Sequence, residues 1–124
     1  MDKVEFIARV RYLGWICFQM GADLPLHDVP ENYEISLERL KGLIEGTEWA
    51  LQNPKATPED NHNCWMDSKI EQGYKYGNKL SVDNKIHPSL VPFNELPLVE
   101  QRKDEMDLLM VKLADNLYKM LFEQ

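Results

Sequence analysis

Lysines and aromatic residues between Trp65 and Pro97 are the side chains most suited to binding chemistry. From residue 69 to residue 87 four lysines stand against two acids, in a chain whose net charge is −7. Ammonium groups could bind a negative charge, and aromatic rings could stack on a flat ligand. The residues of such a site would be Trp65, Lys69, Tyr74, Tyr76, Lys85 and His87. Such a site would take a nucleotide-like anion as its ligand. The sequence favours a simpler alternative, in which the lysines are solvated and the aromatic rings anchor the segment to its supports.

The cysteines and histidines do not predict a catalytic or metal site. His62 and Cys64 are two residues apart on a predicted helix, so their side chains point apart and cannot form a nucleophile–base pair. Zinc sites need closely spaced Cys and His pairs, which the sequence lacks. It also lacks an EF-hand loop and a phosphate-binding G-x-x-x-x-G-K-[ST] loop. We therefore expect no enzymatic activity, no metal and no cofactor.

Size and composition predict a single soluble domain over residues 1–124. Hydrophobic residues make up 44% and charged residues 28% of the chain, which is typical of globular proteins. The acidic balance argues against a nucleic-acid partner, because phosphate binding needs clustered Lys and Arg. No apolar run approaches the length of a membrane span, and no secretory signal is expected. Cys17 and Cys64 are predicted to be free thiols, as in a cytoplasmic protein.

Two helices are predicted in the first half of the chain. Residues 3–20 carry an apolar stripe of Phe6, Val10, Leu13 and Cys17, widened by Ile7 and Trp15, which predicts an amphipathic helix. The second helix is expected to begin at an Asp28 cap, with Pro30 in its first turn, and to end near Gln52.

Two further helices and a long connection are predicted in the second half. Thr57 and Pro58 form a strong helix start, and Gly73 would end that helix just after Gln72. The last helix is expected to begin near Leu96–Pro97 and to bury a continuous apolar seam. That seam comprises Val99, Met106, Leu109, Met110, Leu113, Leu117, Met120 and Leu121. The connection of about 24 residues between these helices is expected to be ordered, with short strands at residues 74–76 and 91–93.

This second half resembles the RyR domain, the ryanodine receptor repeat. The resemblance rests on a helical Trp, a Gly-aromatic-x-aromatic-Gly turn, a Lys-x-His-Pro step, a Leu-Val-Pro-aromatic run and a Leu-Pro helix start. Here these are Trp65, Gly73, Tyr74, Tyr76, Gly77, Lys85, His87, Pro88, Leu90, Val91, Pro92, Phe93, Leu96 and Pro97. Residues 7–10, 28–33, 53–65 and 102–104 are similar to stand-alone RyR-domain proteins of bacteria and their phages, so the resemblance covers nearly the whole chain.

The resemblance implies a mainly α RyR-repeat fold and a non-catalytic role. In the receptors the repeats occur in pairs as cytosolic interaction modules, and nucleotide binding between paired repeats is associated with the family. We therefore expect protein–protein interaction or self-association, with a nucleotide-like ligand as the alternative. Residues 11–15 depart from the stand-alone proteins, which more often carry His, Glu and Asn there. Whatever those polar residues do in relatives does not transfer to this chain.

Overall fold

The computed structural model describes residues 2–22 and 34–123 and is mainly helical. These residues form four α-helices: α1 (Lys3–Gly21), α2 (Leu37–Gln52), α3 (Pro58–Glu71) and α4 (Leu98–Phe122). Two short strands, β1 (Lys75–Tyr76) and β2 (Ile86–His87), and a 3₁₀ turn at Phe93–Glu95 lie in the connection between α3 and α4. The predicted four-helix fold is therefore confirmed. Among the described helices, none combines the length and the apolar character that crossing a membrane requires.

Capping side chains set the beginnings of α1 and α3 close to where the sequence predicts them. Asp2 accepts a hydrogen bond from the backbone N–H of Glu5 at 2.8 Å. Thr57 and Asp60 form a reciprocal capping box, in which each side chain accepts a hydrogen bond from the other residue's backbone N–H. These bonds satisfy amide groups that have no partner inside the helix.

The beginning of α2 differs from the prediction. Residues 34–36 are not helical, and the Ser36 hydroxyl caps a helix that begins at Leu37 by accepting a hydrogen bond from the Arg39 backbone N–H at 3.2 Å. The proposed Asp28 cap and Pro30 lie outside the described residues. The prediction overlooked Ser36, a residue type that competes well for the cap position.

The helices α1 and α4 run antiparallel and make the most extensive contact in the fold. Near one end Lys3 pairs with Asp115 at 2.6 Å, and further along Arg11 pairs with Asp107. A small apolar core, formed by Ile7, Ala50, Val111 and Ala114, joins these helices to α2. The short helix α3 packs against α4 and carries the connection.

The buried face of α1 is not the predicted one. Leu13 is 53% exposed and Cys17 is also exposed, whereas the buried side of the helix contains Ile7, Ala8, Arg11, Tyr12, Gly14, Ile16 and Gln19. The predicted apolar stripe exists, but α1 packs against the domain with another side. That buried side carries polar groups among small and apolar residues. A helical period alone cannot distinguish these sides when both carry apolar residues.

The predicted seam of α4 is also largely exposed. Leu109 and Leu113 are each 59% exposed and Leu117 is 38% exposed, with Met120 and Leu121 exposed as well. The buried side of α4 has Val111 and Ala114 instead. Met106 and Met110 are only partly buried, at the boundary with α1. The prediction that this seam forms the core is therefore wrong.

Hydrogen bonds hold the connection between α3 and α4 in one conformation. Gly73 has a φ of 95°, which suits glycine and allows the chain to leave α3. The parallel strands pair Tyr76 with His87, and Ser81 exchanges two 2.9 Å backbone hydrogen bonds with Ile86. The strand predicted at residues 74–76 is confirmed, but residues 91–93 are not a strand. They lead into the 3₁₀ turn, and residues 86–87 supply the second strand.

Candidate functional site

The six predicted ligand residues lie around the end of α3 and the two strands, where most of them contact other parts of the domain. Trp65 stacks on His62 with ring centroids 5.6 Å apart and meets His87 edge-on at 4.9 Å. The Lys69 ammonium lies 4.7 Å from the centre of the Tyr74 ring. The interactions therefore join these aromatic rings to the connection.

Lys85 and Tyr76 differ in their contacts with the rest of the domain. The Lys85 ammonium donates a hydrogen bond to the backbone carbonyl of Gln72 at 2.8 Å, at the negative end of the α3 dipole. Tyr76 is 58% exposed, and its hydroxyl donates to Asn78. Among the six, Tyr76 is thus the ring most open to solvent, next to the exposed Lys75 and Lys79.

An open cleft of about 830 Å³ lies between the end of α2 and α3. Trp49, Lys55, Asp60 and Cys64 are among the residues that line it. Burial raises the pKa of the Cys64 thiol, so the thiolate, which is the nucleophilic form, is disfavoured. The cleft brings together none of the six predicted ligand residues and has no activated nucleophile among the residues named.

A set of interacting polar side chains that the sequence analysis missed lies between α1, α2 and α4. Arg11 donates two hydrogen bonds to Asp107, from Nε at 2.8 Å and from Nη2 at 2.6 Å, and a third to the Thr47 hydroxyl at 3.0 Å. Burial alone would lower the pKa of Arg11, but the hydrogen bonds and charge of Asp107 outweigh it and hold that pKa above its ordinary value. Gly46 leaves room for this guanidinium, since a Cβ there would lie 3.2 Å from Nη1.

This set of polar side chains extends to α3. The Asn61 side chain donates hydrogen bonds to Asp107 at 3.1 Å and to Asp104 at 3.4 Å, and His62 Nδ1 lies 3.8 Å from Asp104. Burial and the neighbouring Asp107 carboxylate raise the pKa of Asp104 to about 7, against smaller opposing effects of Lys103 and Asn61. We call these residues the inner polar cluster: Arg11, Thr47, Asn61, His62, Asp104 and Asp107.

Hydrogen bonds within the protein occupy the main groups of the inner polar cluster. His62 Nε2 is 2.8 Å from the Val91 carbonyl, while the opposite ring nitrogen faces Asp104. Both Asp107 oxygens accept hydrogen bonds from Arg11. This arrangement suits a buried polar network that orients helices better than a site for proton transfer to a substrate. The sequence signal was an Arg on a largely apolar helix, matched by two acids three residues apart on α4.

The opposite side of α1 and α4 is apolar and faces solvent. Val10, Leu13, Cys17, Met106 and Met110 line a shallow groove of about 440 Å³ between the two helices. The exposed leucines of α4 continue this surface away from the groove. We call the whole surface the outer face, and it comprises Val10, Leu13, Cys17, Met106, Leu109, Met110, Leu113 and Leu117.

Comparison with protein families identifies the second half of the chain. The RyR domain model matches residues 48–120, which is more than half of the chain. The match includes all six predicted ligand residues, α3 and nearly all of α4, whereas α1 and most of α2 lie before it. The chain therefore belongs to the RyR domain family.

Proposed function

We propose that this RyR domain is a non-catalytic, cytoplasmic interaction module whose docking surface is the outer face. It would associate with a protein, including a second copy of itself. The observation that carries the proposal is the exposure of Leu13, Leu109 and Leu113, each more than half accessible to solvent on adjoining helices. Contiguous exposed apolar patches of this kind mark interaction sites on soluble proteins.

The spacing of the apolar residues along the outer face of α4 supports a helical partner. Met106, Met110, Leu113 and Leu117 follow each other at intervals of four, three and four residues, the repeat that lets one helix pack along another. The groove beside them can accept side chains from the partner, as holes accept knobs in helix packing. Burial of these leucines would contribute favourable free energy of roughly 25 cal/mol for each Å² of apolar surface removed from water.

The chemistry of the remaining polar groups supports a role without catalysis. His62 contacts the protein through both ring nitrogens, and Arg11 binds both oxygens of Asp107. The protonated Cys64 thiol is a poor nucleophile. These groups stabilise the fold, and within the described part of the chain the outer face is an exposed apolar surface without an evident structural role.

Light scattering over a wide range of protein concentration tests this proposal. The unmodified domain should show a mass that rises with concentration, and Leu109→Glu/Leu113→Glu should remain monomeric because charges would be buried in the contact. The matched control is Gln52→Glu/Asn63→Glu, which adds the same charge at exposed positions beside the cleft. It should associate like the unmodified domain.

Two results would contradict the proposal. If both double variants keep the concentration-dependent mass, the outer face is not the contact. If only Gln52→Glu/Asn63→Glu loses it, docking occurs at the cleft. Circular dichroism of each variant should be measured alongside, because a loss of helix would remove association for another reason.

A nucleotide-like ligand at Trp65, Lys69, Tyr74, Tyr76, Lys85 and His87 remains the second candidate. The exposed Tyr76 ring beside Lys75 and Lys79 favours it, since a base could stack there while an ammonium group binds phosphate. A thermal-shift screen with nucleotides should then raise the unfolding midpoint, because a ligand that binds the native state stabilises it. Lys75→Glu/Lys79→Glu should abolish that shift and keep the fold. A flat screen would exclude this candidate.

A further inference from the structure

We infer that the outer face binds a second copy of this chain, with the two α4 helices antiparallel and crossing near Leu113. This inference rests on the proposed function and specifies its partner and orientation. It follows from the order of apolar and charged side chains along the exposed side of α4. An isologous contact of this kind needs a surface that is complementary to itself under a two-fold rotation.

The apolar residues meet this requirement. In an antiparallel pair that crosses at Leu113, each Leu113 lies beside its copy, and Leu109 lies opposite Leu117 of the second chain. Both residues are exposed and belong to the same stripe of α4. Leucine therefore meets leucine across the contact. The α1 residues beside the groove widen the contact, which a single helix stripe would leave narrow for a stable interface.

The charged residues that flank the stripe favour the antiparallel orientation. Arg102 precedes the leucines and Glu123 follows them, and both are exposed. An antiparallel pair places Arg102 of each chain near Glu123 of the other. A parallel pair in register would instead place each charge beside its own copy, which is repulsive.

Lys112 is the exception, because it lies next to the crossing point and would face Lys112 of the second chain. Each two-fold contact therefore has two attractive pairs, both between Arg102 and Glu123, against this one repulsive pair. The Lys112 side chain is exposed and can direct its ammonium group away along the surface. The balance of charges still favours the antiparallel dimer, and the attraction should weaken as salt is added.

Charge reversal at the ends of α4 tests the orientation. Arg102→Glu should raise the dimer dissociation constant roughly tenfold, because two attractive pairs become repulsive. Arg102→Glu/Glu123→Arg should restore it, since each chain again carries opposite charges at the two ends. Sedimentation equilibrium measures both. The matched control is Lys41→Glu, the same change at an exposed position on α2, which should have no effect on the dissociation constant.

Each reversal also changes the charges around α4 in the isolated chain. Arg102→Glu places a second acid three residues before Glu105, and Glu123→Arg reverses a charge that attracts Lys3. The free energy of unfolding of each variant is therefore measured by urea denaturation, and a weaker dimer at unchanged stability comes from the contact between chains.

The outcomes separate this inference from the proposed function. A dimer whose dissociation constant is the same in the single and double variants overturns the antiparallel orientation, because a parallel pair keeps like charges together in all three proteins. The outer face would then still be the docking surface. An unmodified domain that stays monomeric at every concentration overturns self-association. If Leu109→Glu/Leu113→Glu dimerises like the unmodified domain, the docking surface itself is wrong.

Discussion

The two sides of α4 differ in an unusual way. The side that faces the rest of the domain carries Asp104 and Asp107 of the inner polar cluster beside the buried Val111 and Ala114. The side that faces solvent carries Leu109 and Leu113, more than half exposed. Charged groups are buried only when they are paired, and apolar side chains left in water mark a contact surface. The comparison teaches that polar contacts supplement a small apolar core inside the domain, while further apolar residues of α4 are exposed outside.

The largest effect on stability should follow from removing Arg11. Arg11→Ala leaves the partly buried Asp107 without its cation, and we expect the free energy of unfolding to fall by about 3 kcal/mol. The matched control is Arg9→Ala on the same helix, where the arginine is 44% exposed and its pair with Glu5 spans 3.8 Å. That substitution should cost less than about 1 kcal/mol. Urea denaturation measures both.

A double substitution sharpens this prediction. Arg11→Met/Asp107→Leu removes both charges together and should recover much of the lost stability, because no unpaired ion remains. If Arg11→Ala lowers the free energy of unfolding no more than Arg9→Ala does, the inner polar cluster does not hold the helices together. The buried side of α4 would then not owe its stability to polar contacts.

An effect of intermediate size is expected in the pH dependence of stability, because of Asp104. The pKa of Asp104 rises from 3.8 to about 7 in the folded protein, so the folded state holds this proton more tightly than the unfolded chain. The free energy of unfolding should therefore fall as pH increases between about 4 and 7, by an amount on the order of 2 to 4 kcal/mol. The carboxyl faces Asp107 and Lys103 on its own helix and Asn61 and His62 on α3.

Asp104→Asn should remove this fall and raise stability at pH 8 by about 2 kcal/mol, since the amide carries no charge to bury. Asp115→Asn serves as a control of opposite sign. Burial alone would raise the pKa of Asp115, but the Lys3 ammonium outweighs it and the pKa lies below its ordinary value. Asp115→Asn should therefore destabilise at neutral pH, and the difference should shrink in acid. If the free energy of unfolding of Asp104→Asn falls with pH as steeply as that of the unmodified protein, Asp104 is not the group responsible for the pH dependence.

The contrast also shows how much of the fold could be predicted. Local chemistry correctly predicts the Thr57 cap of α3 and the end of that helix before Gly73, because these depend on neighbouring residues. The apolar period of α1 and α4 correctly predicts helices. It does not predict which side is buried, because both sides of each helix carry apolar residues and only the neighbouring helix decides.

Most of what the sequence missed depends on distant residues. Arg11 and Asp107 are separated by 96 positions, so no local pattern links them. The second strand is only two residues long, too short to show a period, and its position follows from the parallel pairing of Tyr76 with His87. The six predicted ligand residues lie around the end of α3 and the two strands, but the contacts that Trp65 and Lys85 make within the domain could not be predicted from residue types.

The most direct test of the central claim is the effect of Leu113→Gln on two quantities, the free energy of unfolding in dilute solution and the mass at high concentration. Val111→Ala is the matched control, because Val111 is 5% exposed on the buried side of the same helix. Leu113→Gln should leave the free energy of unfolding within about 0.5 kcal/mol and abolish association. Val111→Ala should cost about 2 kcal/mol and keep association. The account would be contradicted if Leu113→Gln lowered the free energy of unfolding by as much as the loss of a core leucine and left the mass at high concentration unchanged.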